Sequence, residues 1–252
     1  KALQAGTSHY LGQNFARAYD VTFLGRDGEQ HLAYATSWGA STRLVGGVIM
    51  THGDDHGLRL PPAIAPHQVV LLPLAGGEVA TVADKLGEEL RADGVRAHLD
   101  NRFDHLSFGR RTVDWELKGV PVRVELGPRE LAAGQATLVR RDTRDKTPVP
   151  IEGVARAARE LLDELQRGLL AESTADRERR TYTVTDLDEF RDRIAGGGFF
   201  RLAWCGSADC EAALGEGTGA TIRVILDGQP PDGPCVVDGA PPAHTVLVAR
   251  AY

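Results

Sequence analysis

Apolar residues are spaced most regularly in the middle of the chain, where patterns typical of strands alternate with patterns typical of helices. Residues 68–74 are almost continuously apolar, as in a strand that is buried on both faces of a sheet. The next apolar residues have the spacing of one helical face: Val79, Val82, Leu86 and Leu90. Gly94 predicts the end of that helix. The order of strand and helix predicts an α/β domain.

The same alternation continues to about residue 170. Residues 95–99, 120–126 and 135–140 predict further strands. A second helix is predicted by a set of apolar residues at helical spacing: Val154, Ala158, Leu161, Leu162, Leu165 and Leu169. The charged residues 172–180 then predict a connector.

The first 66 residues are patterned differently and end in a proline cluster: Pro61, Pro62 and Pro66. Neither a helix nor a central strand crosses such a cluster, so it predicts a domain boundary. Residues 21–24 and 30–36 flank the turn-forming stretch 25–28 and predict a β-hairpin. Residues 43–50 are mostly apolar and predict a buried helix.

The residues after 180 predict a small domain of both helix and strand. Thr185 and Asp188 resemble a capping box at the start of a helix, which the glycines at 196–198 end. Residues 199–204, 221–226 and 244–249 predict strands.

Composition excludes several classes of protein. The 252 residues, 42% hydrophobic and 25% charged, are ordinary for one to three folded domains. No run approaches the ~20 apolar residues of a membrane helix, no segment resembles a secretion signal, and three cysteines make no disulfide framework. We therefore expect a cytoplasmic protein. Because the chain opens at Lys1 in what resembles the middle of a domain, we also expect a piece of a longer protein.

Charge is distributed unevenly. The net charge is −6, yet residues 95–146 contain eleven Lys and Arg against eight Asp and Glu. This local excess either attracts a polyanion or is an ordinary fluctuation along the chain, and composition alone leaves both interpretations open.

Four stretches occur together in an order that resembles a known family. They are residues 1–15, 36–43, 50–55 and 115–128. The combination resembles the C-terminal half of a prolyl-tRNA synthetase of the archaeal and eukaryote-like type, and the segment around Arg43 resembles the third signature motif of class II synthetases.

The resemblance implies an α/β protein of three parts. Residues 1–66 would be the end of a class II antiparallel-sheet catalytic domain. Residues 67–170 would be a mixed-sheet α/β anticodon-binding domain, and residues 171–252 a small α+β zinc-type domain.

The activity implied by the resemblance is that of a proline–tRNA ligase. Such an enzyme uses ATP and magnesium to make prolyl adenylate, and transfers proline to the 3′ end of proline tRNA. The family's first two signature motifs, which build the homodimer interface and hold the ATP α-phosphate, are expected before Lys1, so we expect this chain alone to be inactive. Arg26 and Glu29 are similar to part of the second motif but stand in the wrong order, so we reject them.

Adenylate formation brings two anions together and requires fixed donors and positive charge. The resemblance implies that Arg43 is the catalytic residue, at the γ-phosphate, where a guanidinium pairs well with phosphate oxygens. The implied ATP-binding residues are Gln4, Thr7, Ser41 and Arg43. His9, Trp38 and Gly39 are implied to face proline and the tRNA 3′ end.

For the anticodon, the resemblance implies Glu116, Arg123 and Arg129 as the reading residues. Guanine O6 and N7 suit an arginine fork, while N1 and N2 donate to a carboxylate. The alternative is that Glu116 and Arg123 only form an ion pair between strands. We take Arg111 as the candidate phosphate contact.

Four residues near the C-terminus predict a metal site: Cys205, Cys210, Cys235 and Asp238. Two short-spaced ligand pairs are typical of tetrahedral zinc sites. The resemblance implies a zinc domain whose fourth ligand is normally cysteine. Because Asp238 replaces one soft thiolate, we expect a degenerate site with little zinc. Tyr252 also matches the family, whose C-terminal tyrosine folds toward the catalytic domain.

Two other functions remain open at this point. The first is another class II synthetase, such as a threonyl- or glycyl-tRNA synthetase. Residues 6–9 and 50–55 argue against it. The second is a non-catalytic tRNA-binding or regulatory module derived from a class II synthetase. The presence of Gln4, Thr7, His9 and Arg43 argues against it.

Overall fold

A computed structural model of the chain describes residues 2–251. These residues form two compact units. One contains the described residues up to Gly47 together with those from Asp176 onward, and the other is Val48–Ala175. Within residues 2–251, every helix is too short or too polar to cross a membrane. Tyr252 lies outside the described residues, so its predicted role stays a prediction.

The N-terminal segment forms two small antiparallel sheets. It contains strand β1 (Gly6–Gly12), helix α1 (Asn14–Tyr19) and strands β2 (Thr22–Leu24), β3 (Gln30–Leu32) and β4 (Ala35–Ala40). β2 pairs with β3, which confirms the hairpin, and β1 pairs with β4. The predicted second strand of the hairpin was too long, because Thr36 pairs with Tyr10 and so belongs to the other sheet.

Helix α2 (Arg43–His52) confirms the predicted helix but not its burial. Four of its five apolar side chains are between 44% and 62% exposed, and the fifth, Val48, is half-buried: Leu44, Val45, Ile49 and Met50 are the exposed four. A helix is buried only where another element covers its apolar face. The described part of the chain leaves this face uncovered.

The unit Val48–Ala175 contains a five-stranded sheet. Its elements are β5 (Val69–Pro73), α3 (Glu78–Ala92), β6 (Ala97–Leu99), α4 (Phe108–Leu117), β7 (Val122–Leu126), α5 (Pro128–Ala132), β8 (Gln135–Arg140), β9 (Lys146–Pro150) and α6 (Val154–Arg179). The strand order is β6-β5-β7-β8-β9. β5 is parallel to β6 and β7, while β8 and β9 run antiparallel. The predicted α/β unit with a mixed sheet is therefore present.

Helices cover both faces of this sheet. Alternate residues of a strand point to opposite faces. Val69 and Val122 face α3 and α6 in the larger core, whereas Val70 packs with Trp115 of α4 on the other face. On β7, Arg123 and Glu125 consequently lie on the face that carries α4.

Residues 58–60 run beside the end of α4. The amide of Leu58 donates to the Leu117 carbonyl, and that of Leu60 to the Gly119 carbonyl. Gly119 has φ +72°, and a Cβ there would lie 2.5 Å from the Leu58 Cβ, so the turn requires glycine. The predicted division of the chain at residue 66 stays a prediction.

Helix α6 is longer than the sequence predicted. The residues predicted as a charged connector, 172–180, are mostly its last turns. Asp176 lies 3.1 Å from both Arg179 and Arg180, at the spacings that stabilise a helix surface. The predicted connector is therefore mostly helical, because these opposite charges pair along one helix, and the division between the two compact units falls within it.

The C-terminal segment forms a second mixed sheet. Its elements are β10 (Thr181–Thr183), α7 (Leu187–Ile194), β11 (Phe199–Trp204), α8 (Ala208–Gly215), β12 (Ala220–Ile225) and β13 (His244–Arg250). The strand order is β10-β11-β13-β12, with Phe190 of α7 buried against Phe200. The N-cap of α7 is Asp186, whose carboxylate accepts from the Glu189 amide at 2.9 Å. The capping box predicted at Thr185 was therefore one residue too early.

Candidate functional site

The β1–β4 pair carries most of the residues predicted to bind small molecules. Thr7 lies opposite Gly39, Ser8 opposite Trp38, and His9 opposite Ser37. Directly opposed residues of an antiparallel pair point to the same face, and successive residues to opposite faces. Thr7, His9 and Gly39 therefore share one face, whereas Trp38, 77% exposed, lies on the other.

The predicted ATP-binding residues collect at one end of this pair. Gly6, at the start of β1, pairs with Ala40, at the end of β4. The residues just before β1, which include Gln4, and those just after β4, which include Ser41 and Arg43, are therefore at the same end of the pair. The Ser41 hydroxyl accepts from the Arg43 amide at 3.3 Å, and Arg43 is exposed at the first position of α2. An exposed guanidinium at this end is free to meet an anion.

Glu116 and Arg123 are in direct contact. The Arg123 Nη1 donates to Glu116 Oε1 at 3.2 Å, and their side chains are only 10% and 19% exposed. Glu116 belongs to α4 and Arg123 to β7, so the pair joins a helix to the sheet and is not between strands. Arg129 is exposed on α5, and in the described part of the chain no ion pair joins it to Glu116.

Sequence reasoning missed two further members of this cluster. Glu125 Oε1 accepts from Arg123 Nε at 2.9 Å, and Glu125 Oε2 accepts from the Lys146 ammonium at 2.9 Å. The signal was present in the strand Val122–Leu126. Its polar residues alternate with apolar ones, which places Arg123 and Glu125 two residues apart on one face.

A buried network holds α4 against the sheet. Asp100 accepts from Trp115 Nε1 at 2.7 Å and from Arg102 Nη2 at 2.7 Å. Burial alone would raise the Asp100 pKa, but the hydrogen bonds from Arg102 and Trp115 lower it to about 2. Since Glu116 follows Trp115, this network also sets the position of Glu116.

The prediction for Arg111 was wrong. Its side chain is 1% exposed and donates to the backbone carbonyls of Asp100 and Pro73 at 3.1 and 2.8 Å. A guanidinium enclosed in this way cannot reach a phosphate. Periodicity on α4 was the missed signal, because Arg111 lies four residues before the buried Trp115.

Much of the positive excess in residues 95–146 is neutralised within the fold. Arg141 makes a bidentate pair with Asp54 at 2.7 and 2.9 Å, and Arg140 pairs with Asp142 and Glu164, each at 2.9 Å. The hydrogen bond from Arg141 holds the pKa of Asp54 well below its usual range. The positive electrostatic potential that attracts a polyanion is therefore weaker than the count of charges indicated.

The structure brings the four predicted metal ligands together. Cys205 follows β11, Cys210 lies in α8, and Cys235 and Asp238 lie between β12 and β13. Their ligand atoms all lie within 4.8 Å of one another, and Cys210 Sγ is 3.2 Å from Asp238 Oδ2. Burial raises the Cys210 pKa, while the Ala240 amide lowers that of Asp238 to about 2. In number and spacing these donors fit a metal ion.

Comparison with known proteins gives matches along the whole chain. The model "Anticodon binding domain" matches residues 68–161, and "Prolyl-tRNA synthetase, C-terminal" matches residues 187–252. The chain is 46% identical to Proline--tRNA ligase 2 of Clostridioides difficile, 52% to Proline--tRNA ligase of Frankia casuarinae and 42% to that of Porphyromonas gingivalis. Each alignment covers all of this chain and 53%, 53% and 52%, respectively, of the length of those three proteins.

The chain belongs to the prolyl-tRNA synthetase family. It spans about half the length of the curated relatives it matches. The resemblance seen in the sequence is thereby confirmed. The Glu116, Arg123, Glu125 and Lys146 cluster lies in the segment that matches the anticodon-binding model. The cysteine cluster lies in the segment that matches the synthetase C-terminal model.

Proposed function

We propose that this chain is the C-terminal part of a proline–tRNA ligase. The complete enzyme would activate proline with ATP and magnesium, transfer it to proline tRNA, and act as a homodimer. The observation that carries the proposal is that proline–tRNA ligases align with the whole chain at 42–52% identity. These relatives favour proline over the threonyl and glycyl alternatives.

Within residues 67–170, proposed as the anticodon-binding domain, Arg123 and Glu116 would read guanine. Arg123 uses two of its five N–H groups on Glu125 and Glu116, which leaves donors for O6 and N7. Only Glu116 Oε1 is engaged by Arg123, so Oε2 remains to accept from N1 or N2. The ion pair and guanine reading are thus compatible. Arg129 would add a contact from α5.

We expect Arg123→Ala to weaken binding of a proline tRNA by about 5- to 150-fold, since a base-edge contact is worth ~1–3 kcal/mol. Binding of a tRNA with another anticodon should hardly change. The measurement is the dissociation constant of the full chain for both tRNAs, after circular dichroism has shown that the variant is folded.

Arg144→Ala is the matched control, because Arg144 is an exposed arginine in the turn between β8 and β9. It should leave the ratio of the two dissociation constants unchanged. If Arg123→Ala weakens both tRNAs equally, or weakens neither, direct guanine reading by Arg123 is rejected.

At the β1–β4 pair, within residues 1–66 proposed as the end of the catalytic domain, Gln4, Thr7, Ser41 and Arg43 would hold ATP. Their place at one end of the pair supports this role. His9 and Gly39, on the face shared with Thr7, would line the side toward proline and the tRNA 3′ end. Trp38 lies on the other face of the pair, so it would contact these ligands only where they extend past the edge of the two strands. Magnesium would accompany the ATP phosphates.

In residues 171–252 we propose a zinc-type site that is only partly filled. Cys205, Cys210, Cys235 and Asp238 supply four donors, but a carboxylate replaces one soft thiolate. When bound, zinc would tie α8 to the loop before β13, a structural role with no part in the reaction.

The purified protein should therefore contain less than one zinc ion per chain. Asp238→Cys should raise the zinc content toward one ion per chain, because it restores four thiolates. Elemental analysis of both proteins tests this. Asp227→Cys, at an exposed position outside the cluster, is the control for an added thiol. One tightly held zinc ion in the unaltered chain would contradict the degenerate site and favour a true Cys₃Asp site.

A further inference from the structure

The carboxylate of Glu125 has no role in guanine reading as proposed, yet it is almost enclosed. Its side chain is 11% exposed, and both of its oxygens are engaged, by Arg123 Nε and by the Lys146 ammonium, each at 2.9 Å. Burying a charged group is costly unless it is paired. Glu125 therefore makes interactions that compensate for its burial, and both partners lie in the candidate site.

Glu125 and Glu116 hold the Arg123 guanidinium at different nitrogens. Glu125 accepts from Nε and Glu116 from Nη1. A planar group fixed at two points cannot rotate about its last side-chain bonds. The Nη2 group and one N–H of Nη1 then keep a fixed direction.

Among residues 2–251, the ion pairs of Arg123 are with Glu116 and Glu125, so without Glu125 only Glu116 would remain of these partners. A guanidinium and a single carboxylate prefer the bidentate arrangement, which uses two N–H groups and both oxygens. That arrangement would occupy the Glu116 oxygen that guanine N1 or N2 needs. Glu125 thus keeps the two reading residues from saturating each other.

Lys146 completes the cluster. Glu116 and Glu125 bring two negative charges and Arg123 and Lys146 two positive charges, so the cluster is neutral overall. The strand register supports this grouping, since Arg123 lies opposite Val139 and Val139 lies opposite Lys146. A neutral cluster does not repel the acceptor edge of guanine.

We propose that Glu125, neutralised by Lys146, is a positioning residue that holds Arg123 in the conformation in which it reads a guanine edge. This inference rests on the proposed reading of the anticodon by Arg123. It assigns Glu125 no contact with the RNA.

Glu125→Gln in the full chain tests the proposal, because glutamine keeps the shape and one acceptor oxygen but loses the charge. Discrimination is the dissociation constant of a proline tRNA whose anticodon guanines are replaced by 7-deazaguanine, which lacks the N7 acceptor proposed for Arg123, divided by that of the unmodified proline tRNA. We expect this ratio to fall about 5- to 10-fold, the lower part of the range of one base-edge contact, because Arg123 itself remains and glutamine keeps one acceptor oxygen. In Glu125→Asp, which keeps the charge but has a shorter side chain, the ratio should fall by less.

The double variant Arg123→Ala with Glu125→Gln separates the outcomes. If Glu125 acts through Arg123, the second change should have no further effect on discrimination once Arg123 is removed. A further loss would show that Glu125 contacts the RNA itself and would overturn the positioning role.

Failure of the inference and failure of the proposed function are distinguishable. If Arg123→Ala abolishes discrimination while folded Glu125→Gln retains it fully, positioning by Glu125 is rejected and reading by Arg123 stands. If Arg123→Ala itself keeps full discrimination, both are rejected. Should Glu125→Gln fail to fold, Glu125→Asp decides, and unchanged discrimination in that variant overturns the proposal.

Discussion

Replacing Asp100 with asparagine should lower the free energy of unfolding of the Val48–Ala175 unit by about 3–5 kcal/mol, the cost of breaking a buried charge pair by removing one partner. Both Asp100 oxygens accept hydrogen bonds, from Arg102 and from Trp115. Asparagine replaces one of these oxygens with an NH₂ group, whose N–H groups would point at the N–H donors of Arg102 or Trp115. The buried Arg111 guanidinium, 4.0 Å from Asp100, would also lose its nearest negative charge.

Amide hydrogen exchange of strands β5 and β7 measures this loss. The control is Asp114→Asn, which removes a carboxylate that pairs with Arg102 at 3.4 Å and with Arg110 at 3.1 Å, and the Arg110 side chain is 67% exposed. It should cost under ~1 kcal/mol. Equal losses in the two variants would contradict the central role of Asp100.

Acid titration gives a second readout for Asp100. Its folded pKa of about 2 lies below the ordinary value of 3.8, so its contribution to stability is complete above about pH 4 and is lost as the pH falls toward 2. The Asp100→Asn protein should lack this part of the acid destabilisation.

In the complete enzyme, Arg43→Ala should lower the kcat/KM of proline-dependent pyrophosphate exchange by about 100- to 1000-fold, as expected for one charged group that stabilises a transition state. Folding should be little affected, since Arg43 is exposed at the start of α2. The measurement is isotope exchange at saturating proline over a range of ATP concentrations, with thermal unfolding followed in parallel.

Arg26→Ala is the matched control. Arg26 is also an exposed arginine of the N-terminal segment, but it lies in the turn between β2 and β3, and its resemblance to a signature motif was rejected on order. It should leave exchange near the level of the unaltered enzyme. Full activity in Arg43→Ala would show that the motif around residue 43 was wrongly assigned.

The sequence by itself determined the family and most of the secondary structure. Long apolar runs such as residues 68–74 became strands because only burial on both faces suits them. The motif around Arg43 and the cysteine spacing depend on local order along the chain, which a sequence shows directly. The membership of the prolyl-tRNA synthetase family followed from that order.

Only the tertiary structure decided which charges are free. Arg111 and Arg129 are indistinguishable as residue types, yet one is enclosed under α4 and the other is exposed on α5. Likewise, Glu125 and Lys146 are 21 positions apart and meet only because β7, β8 and β9 are neighbours in one sheet. Charge pairing depends on distances between residues far apart in the chain, and those distances are set when the sheet forms.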